Sequence, residues 1–220
     1  MTSSNGIALY SYWRSSASYR VRMALNLKGL DYEIRPVHLV RDGGEQFGAD
    51  YTRLNPQQLV PTLVDGQTVI TQSMAMLEYL EETHPKPALL PADSAGRARV
   101  RAIAQAIACD IHPVNNLRVL KHLVTNLGLN EEQKLDWYRH WTETGLSALE
   151  RMLATDEIDG RYCHGDSPTL ADCCLLPQVY NAQRFNCDLS GLDRINRISD
   201  NLLDLPAVER ATPENQPDAG

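Results

Sequence analysis

The run Trp13-Arg14-Ser15-Ser16-Ala17-Ser18-Tyr19-Arg20-Val21-Arg22 places three serines and three arginines within ten residues. A serine beside the unpaired N–H groups of a helix start is suited to a small anion, because that end carries partial positive charge and the hydroxyl can donate. Serine is also a favoured helix cap, which accounts for one hydroxyl and leaves two. On spacing alone both readings stand. Gln72-Ser73 repeats the arrangement: a hydroxyl and helix N–H groups there suit a carboxylate, or form a second cap. Val60-Pro61 lies between a turn and a strand, where proline is an edge device or a cis turn because it cannot donate to a ladder. Arg14 and Arg184 carry planar forks that match carboxylates bidentately, although Arg184 also reads as a solvated helix residue.

The elements that must hold these residues alternate in type over the first ninety positions. Ile7–Tyr12 reads as a short strand, followed by a helix capped by Ser15, Ser16 or Ser18 and ending at Lys28-Gly29. Tyr32–His38 is a second strand, and strand–helix–strand at this spacing predicts a parallel pair. Asp42-Gly43-Gly44 opens a polar loop and Asn55-Pro56 marks a turn. Thr62–Val64 and Thr68–Ile70 flank Asp65-Gly66, a hairpin signal, and Gln72–Thr83 returns to helical spacing. The pattern βαβ-ββα is that of a thioredoxin-like α/β domain, in which the residue before a cis-proline offers its backbone to a peptide ligand.

Residues 84–93 carry three prolines and read as a linker, giving domains of 1–84 and 94–220 joined by 85–93. Beyond the linker no strand is predicted, so the second domain is all-α. A long helix begins at Asp93 or Ser94 and bends at Pro113, since Val114–Val124 resumes helical spacing. Glu131–Leu153 is another helix, Thr169-Leu-Ala-Asp172 is a capping-box variant opening a helix through Phe185, and Leu192–Leu203 is the last amphipathic segment. The tail from Thr212 is expected to fray.

Composition narrows the partners. Hydrophobic residues at 43% and charged residues at 22% exclude a disordered or fibrous chain. The net charge of −7 is uneven: residues 1–90 hold 8 Lys/Arg against 9 Asp/Glu, and the remainder 13 against 19. Without a basic stripe, nucleic acid and anionic membrane are poor partners, whereas Arg14, Arg20 and Arg22 suit a small anion. Arg20 and Arg22 are assigned structural roles, as partners for acidic residues of the other half. Cys109, Cys163, Cys173, Cys174 and Cys187 form no C-x-x-C and no metal spacing, which points to reduced thiols in a cytoplasmic chain without a metal. No apolar run reaches the roughly 18 residues of a bilayer span, and Met1–Tyr10 shows no secretory signal.

The segment Ser15-Ser16-Ala17-Ser18-Tyr19-Arg20-Val21-Arg22 after an aromatic-rich strand resembles the zeta class of cytosolic glutathione transferases, the maleylacetoacetate isomerases. Leu54-Asn-Pro-Gln-Gln-Leu-Val-Pro61, Thr71–Glu82, Cys109–Arg118, Pro177–Phe185 and Gln216-Pro-Asp218 carry the resemblance over nearly the whole chain. It implies a glutathione site in which the Ser15 hydroxyl stabilises the thiolate, with Ser16 beside it. Gln46, Val60 ahead of cis-Pro61, Gln72 and Ser73 would hold the tripeptide, joined by His112, Asn116 and Arg118; His112 stands where some relatives have glutamine. Arg14 and Arg184 would clamp the carboxylates of a dicarboxylate substrate. The family often has cysteine at the position of Ala17, so here hydroxyl and glutathione must suffice.

The implied activity is conversion of maleylacetoacetate to fumarylacetoacetate in tyrosine and phenylalanine breakdown, by transient addition of the glutathione thiolate to the cis alkene. The implied assembly is a homodimer. Three alternatives share the motifs: maleylpyruvate isomerase, a general conjugating transferase, and a non-enzymatic binding module, the last having no need of Ser15, Pro61 and Ser73.

Overall fold

Strand β1 (Ile7–Ser11) runs straight into helix α1 (Ser16–Leu27) in the computed structural model, which describes residues 6–155 and 160–219. Helix α1 stops where Gly29 takes φ +66, with Gly29 N bonded to Asn26 O and Leu30 N to Leu25 O. Glycine fits that left-handed position without the Cβ penalty. Strand β2 (Tyr32–Pro36) pairs parallel with β1, as the helical crossover requires. Residues 37–61 are more ordered than the predicted polar loop: they contain short turns of 3-10 helix at Arg41–Gly43 and Glu45–Phe47 and helix α2 (Ala49–Leu54). Reciprocal bonds from Glu45 N to His38 O (2.8 Å) and from His38 N to the Glu45 carboxylate (2.7 Å) close this segment. Such short turns are too brief to leave a hydrophobic period.

Strands β3 (Thr62–Asp65) and β4 (Thr68–Thr71) form the hairpin expected at Asp65-Gly66, and the sheet order is β2-β1-β3-β4. Helix α3 (Ser73–Thr83) follows. Leu9, Val21, Leu25, Leu63, Met76, Leu77 and Leu80 are fully buried, the core that strands and helices of this unit share. The Lys28 ammonium, also fully buried, donates to Glu81 (2.7 Å), His84 O (2.7 Å) and Pro87 O (2.9 Å), while Glu81 accepts from Leu89 N. Three donors on one ammonium thus build the first part of the proline-rich linker into this unit.

The chain divides into two compact units, Met1–Leu89 with Asp204–Gly220, and Leu90–Leu203. The second unit is helical. Asp93 caps α4 (Ser94–Gln105) by accepting from Gly96 N. The expected helix bent at Pro113 is instead interrupted: a π-helical stretch (Ala106–Ile111) and a 3-10 turn (Pro113–Asn115) follow, then α5 (Leu117–Thr125). Pro113 brings no N–H, and Asn116 is extended with its side chain capping Arg118 N at 3.1 Å, so one helix ends and another starts. Then come α6 (Glu131–Thr155), α7 (Leu170–Arg184) and α8 (Asp193–Leu203), with the capping box of Thr169 and Asp172 formed. Among the described residues no helix is long and apolar enough to cross a membrane.

The tail corrects two expectations. Residues 204–220 belong to the first unit rather than to the helical one, and the tail is not frayed. It forms α9 (Pro206–Glu209) and a 3-10 turn at Pro213–Asn215. Arg22 donates to Ala211 O (3.0 Å), Asn26 to Ala207 O (2.9 Å), and buried Gln216 to Arg210 O and Thr212 O. Side chains of α1 recruit backbone carbonyls of the tail, which its polar composition does not reveal.

Candidate active site

Strand register decides which loops meet. Tyr10 pairs with Thr62, Thr62 with Thr71, and Ser11 with Pro36. The C-terminal ends of β1, β2 and β4 and the start of β3 therefore lie side by side at one end of the sheet. Ser15 and Ser16 follow β1, Gln46 lies on the segment leaving β2, Val60-Pro61 precedes β3, and Gln72-Ser73 follow β4. The predicted residues of the first unit thus gather at one sheet end, for a reason of register.

Ser15 is the N-cap of α1: its Oγ accepts from Ser18 N at 3.2 Å. A hydroxyl has one proton besides its lone pairs, so the cap leaves the O–H free to donate outward. Neither α1 nor α3 carries an acidic residue in its first turn, so the positive end of each helix is not neutralised locally. Ser16 and Ser18 are buried, and Arg14 lies 4.3 Å over the Trp13 ring. Buried Ser73 accepts from Nη1 of buried Arg20 at 3.2 Å, which again leaves the serine proton to give. Gln72, exposed at φ +69, donates from its side chain to Gln57 Oε1 at 2.7 Å. A non-glycine residue in that region stores about 1–3 kcal/mol of strain, a feature that clusters at ligand sites.

The Val60–Pro61 peptide is cis. The turn before it is held by Tyr51 Oη and Asn55 Nδ2, both donating to Leu59 O at 2.6 and 2.8 Å, and the Val60 side chain packs with Tyr12, Val37 and Tyr51. Gln46 is buried, and its Oε1 has no hydrogen-bond partner among the described residues. An unmatched acceptor on the segment leaving the sheet end at which two helices and a cis-proline turn start fits a ligand that brings both donors and anionic groups.

In the helical unit His112 and Asn116 approach at 3.4 Å, Arg118 is exposed, and Arg184 is exposed with its guanidinium 4.8 Å over Phe185. Phe185 in turn stacks on Tyr138. The expectation for Arg22 needs correction. It bonds Ala211 O, Trp13 O and the Ser11 hydroxyl, groups of its own unit and not acidic residues of the other half. Burial pulls its guanidinium down to about 10, against the opposing pull of Tyr32, Tyr19 and Asp218. Arg20 turns to Ser73, a link between α1 and α3 that no local sequence signal announces. Burial pushes the Cys163 thiol well up and Cys187 up to about 11, so neither is a ready thiolate at neutral pH.

Residues 14–83 match the family described as glutathione S-transferase, N-terminal domain. A probable maleylacetoacetate isomerase of Vibrio cholerae is 52% identical over 213 residues, 97% of this chain and 98% of that one. The holo structure of a zeta-class maleylpyruvate isomerase superposes with a TM-score of 0.94 at 48% identity, covering 97% of this chain and all of its own. A maleylacetoacetate isomerase of Methylobacterium extorquens, solved with bound malonate and glutathione, gives 0.92 at 43% identity over 97% and 99% of the two chains. With about half its residues identical to such relatives over nearly its full length, the chain belongs to the zeta class of glutathione transferases, the family of the maleylacetoacetate and maleylpyruvate isomerases.

Proposed function

We propose that the chain is a glutathione-dependent cis–trans isomerase that converts maleylacetoacetate to fumarylacetoacetate in tyrosine and phenylalanine breakdown. The observation that carries this reading is Ser15. Its oxygen caps α1 and its proton is left for an anion at the positive helix end. When bound, glutathione supplies a thiol that adds reversibly to the alkene carbon, frees rotation about the former double bond and is regenerated.

The chain's residues divide the remaining work. Ser15 donates to the sulfur and, with the helix end and Ser16 beside it, favours the thiolate over a free thiol whose pKa is about 8.5. Ser73, held by Arg20, donates to the carboxylate of the γ-glutamyl end, with Gln72 alongside. Val60, ahead of cis-Pro61, pairs with the cysteinyl backbone, and Gln46 offers its unmatched oxygen as an acceptor. His112, Asn116, Arg118 and Arg184 are assigned to ligand binding on the family resemblance alone. Arg14 clamps a substrate carboxylate from beside Ser15, its guanidinium steadied by the Trp13 ring. Among the described residues none of the five cysteines forms a disulfide, which supports placing the chain in a reducing cytoplasm. A homodimer is proposed on the resemblance and is tested by light scattering.

A second reading, isomerisation of maleylpyruvate, is favoured by the 0.94 superposition on an enzyme of that name. Proton NMR of each keto acid with enzyme, with and without catalytic glutathione, decides between them. The trans isomer of maleylacetoacetate is expected to appear faster than that of maleylpyruvate, and only with glutathione. Appearance without glutathione refutes thiol addition, and absence for both acids refutes the assignment.

A further inference from the structure

The turn that carries Ser15 is held from the far end of the chain. Trp13 N donates to Asp218 Oδ2 at 3.0 Å, across 205 positions of sequence. Trp13 O accepts from Arg22 Nη2 at 3.0 Å, and Arg22 is itself fixed by Ser11 Oγ and by Ala211 O of the tail. Tyr12 O accepts from Ser15 N at 2.9 Å. The backbone on both sides of Trp13 is therefore pinned, two residues before the hydroxyl.

Asp218 is itself held in place. Gln216 donates to Arg210 O and Thr212 O, and Ala219 N bonds Gln216 O, closing a turn that contains Asp218. The other carboxylate oxygen, Oδ1, is buried without a partner, so the bond to Trp13 N is the carboxylate's one hydrogen bond among the described residues. The carboxylate also acts on the buried Arg22 guanidinium, so the two opposite charges brace the N–H and the C=O of Trp13 from either side.

We infer that Asp218 is a positioning residue for the proposed reaction. It fixes the Trp13–Ser15 turn so that the Ser15 O–H points to the sulfur of bound glutathione. The inference rests on the thiolate role proposed for Ser15. Small displacements of a charge-stabilising donor cost rate steeply, because such donors work only when preset. Without Asp218 the turn retains its bond from Arg22, and the tripeptide retains the contacts proposed for it at Val60, Gln72 and Ser73. Affinity for glutathione should therefore be spared while the thiolate is lost.

The test reads the ultraviolet absorbance of the bound glutathione thiolate across pH, together with kcat and KM, in the full-length wild type, Asp218→Ala, Asp218→Asn and Ser15→Ala. In Asp218→Ala the thiolate fraction at neutral pH and kcat should each fall about fivefold, with KM for glutathione changed less than twofold. Asp218→Asn keeps an acceptor oxygen and should recover most of the loss. If the alanine variant does not fold, Asp218→Glu, which keeps the charge but displaces the carboxylate, is read in the same way. A wild-type titration profile in Asp218→Ala or Asp218→Glu, alongside a shifted one in Ser15→Ala, overturns the positioning role alone. An unshifted profile in Ser15→Ala overturns the reading on which it rests, and this inference with it.

Discussion

Replacing Ser15 by alanine is expected to lower isomerase turnover at least about tenfold at neutral pH, the loss of one hydrogen bond to a developing charge worth about 1.4 kcal/mol or more. The side chain does two things at once. Its oxygen caps Ser18 N, and its proton is free to face the sulfur. Losing the cap alone destabilises by about 1 kcal/mol, which lowers Tm by a few degrees but does not act on the thiol. Ser15→Asp separates the two roles. A carboxylate caps as well as a hydroxyl but offers no proton and repels a thiolate, so this variant should keep the wild-type Tm and turn over more slowly than Ser15→Ala. The apparent thiol pKa of bound glutathione, followed by absorbance, should move in both variants toward the free value of about 8.5. Unchanged turnover in Ser15→Ala would transfer the role to Ser16.

Removing Asp172 should produce the largest loss of stability. Its fully buried carboxylate accepts from Cys163 N (2.9 Å), Thr169 N (2.7 Å) and the Thr169 hydroxyl (2.7 Å), tying the segment before α7 to the helix it opens. Alanine would leave these donors buried and unmatched, at a cost of about 3 kcal/mol, so the Tm of the Asp172→Ala variant should fall by about ten degrees. A fall of only a degree or two would show that water replaces the carboxylate.

Burial holds this carboxyl above the usual carboxylate range, although bonds from Cys163 and Thr169 pull the other way. A raised value means that the folded chain holds the proton more tightly than the unfolded one. Stability from this group is therefore greatest in acid and declines as pH rises from the unfolded value through the raised one. The Tm deficit of Asp172→Ala should accordingly shrink as pH rises through that window.

Particular residues show how much could be read without coordinates. The strand, helix and hairpin of the first unit, the capping box at Thr169 and the hydroxyls at Ser15 and Ser73 are each announced by neighbours a few positions away. Gly29 and Gly66 mark where the chain turns, and a glycine at positive φ is a local fact. The family resemblance adds the ligand, and the relatives of similar sequence bear out the class.

Other features were hidden. The interruption at Pro113–Asn116 escaped because apolar spacing continues across it, although Asn116 is extended. The short turns at 41–47 escaped because one turn cannot establish a period.

The linear order of residues thus determined the local elements, their caps and the types of group available for chemistry, since propensity and periodicity act between near neighbours. Only the tertiary structure decided that the tail returns to the first unit, that Arg22 reaches Ala211 O, and that Asp218 meets Trp13 N. Every residue but proline carries the same backbone N–H and C=O, so nothing in a residue's identity tells which of them a distant side chain will find.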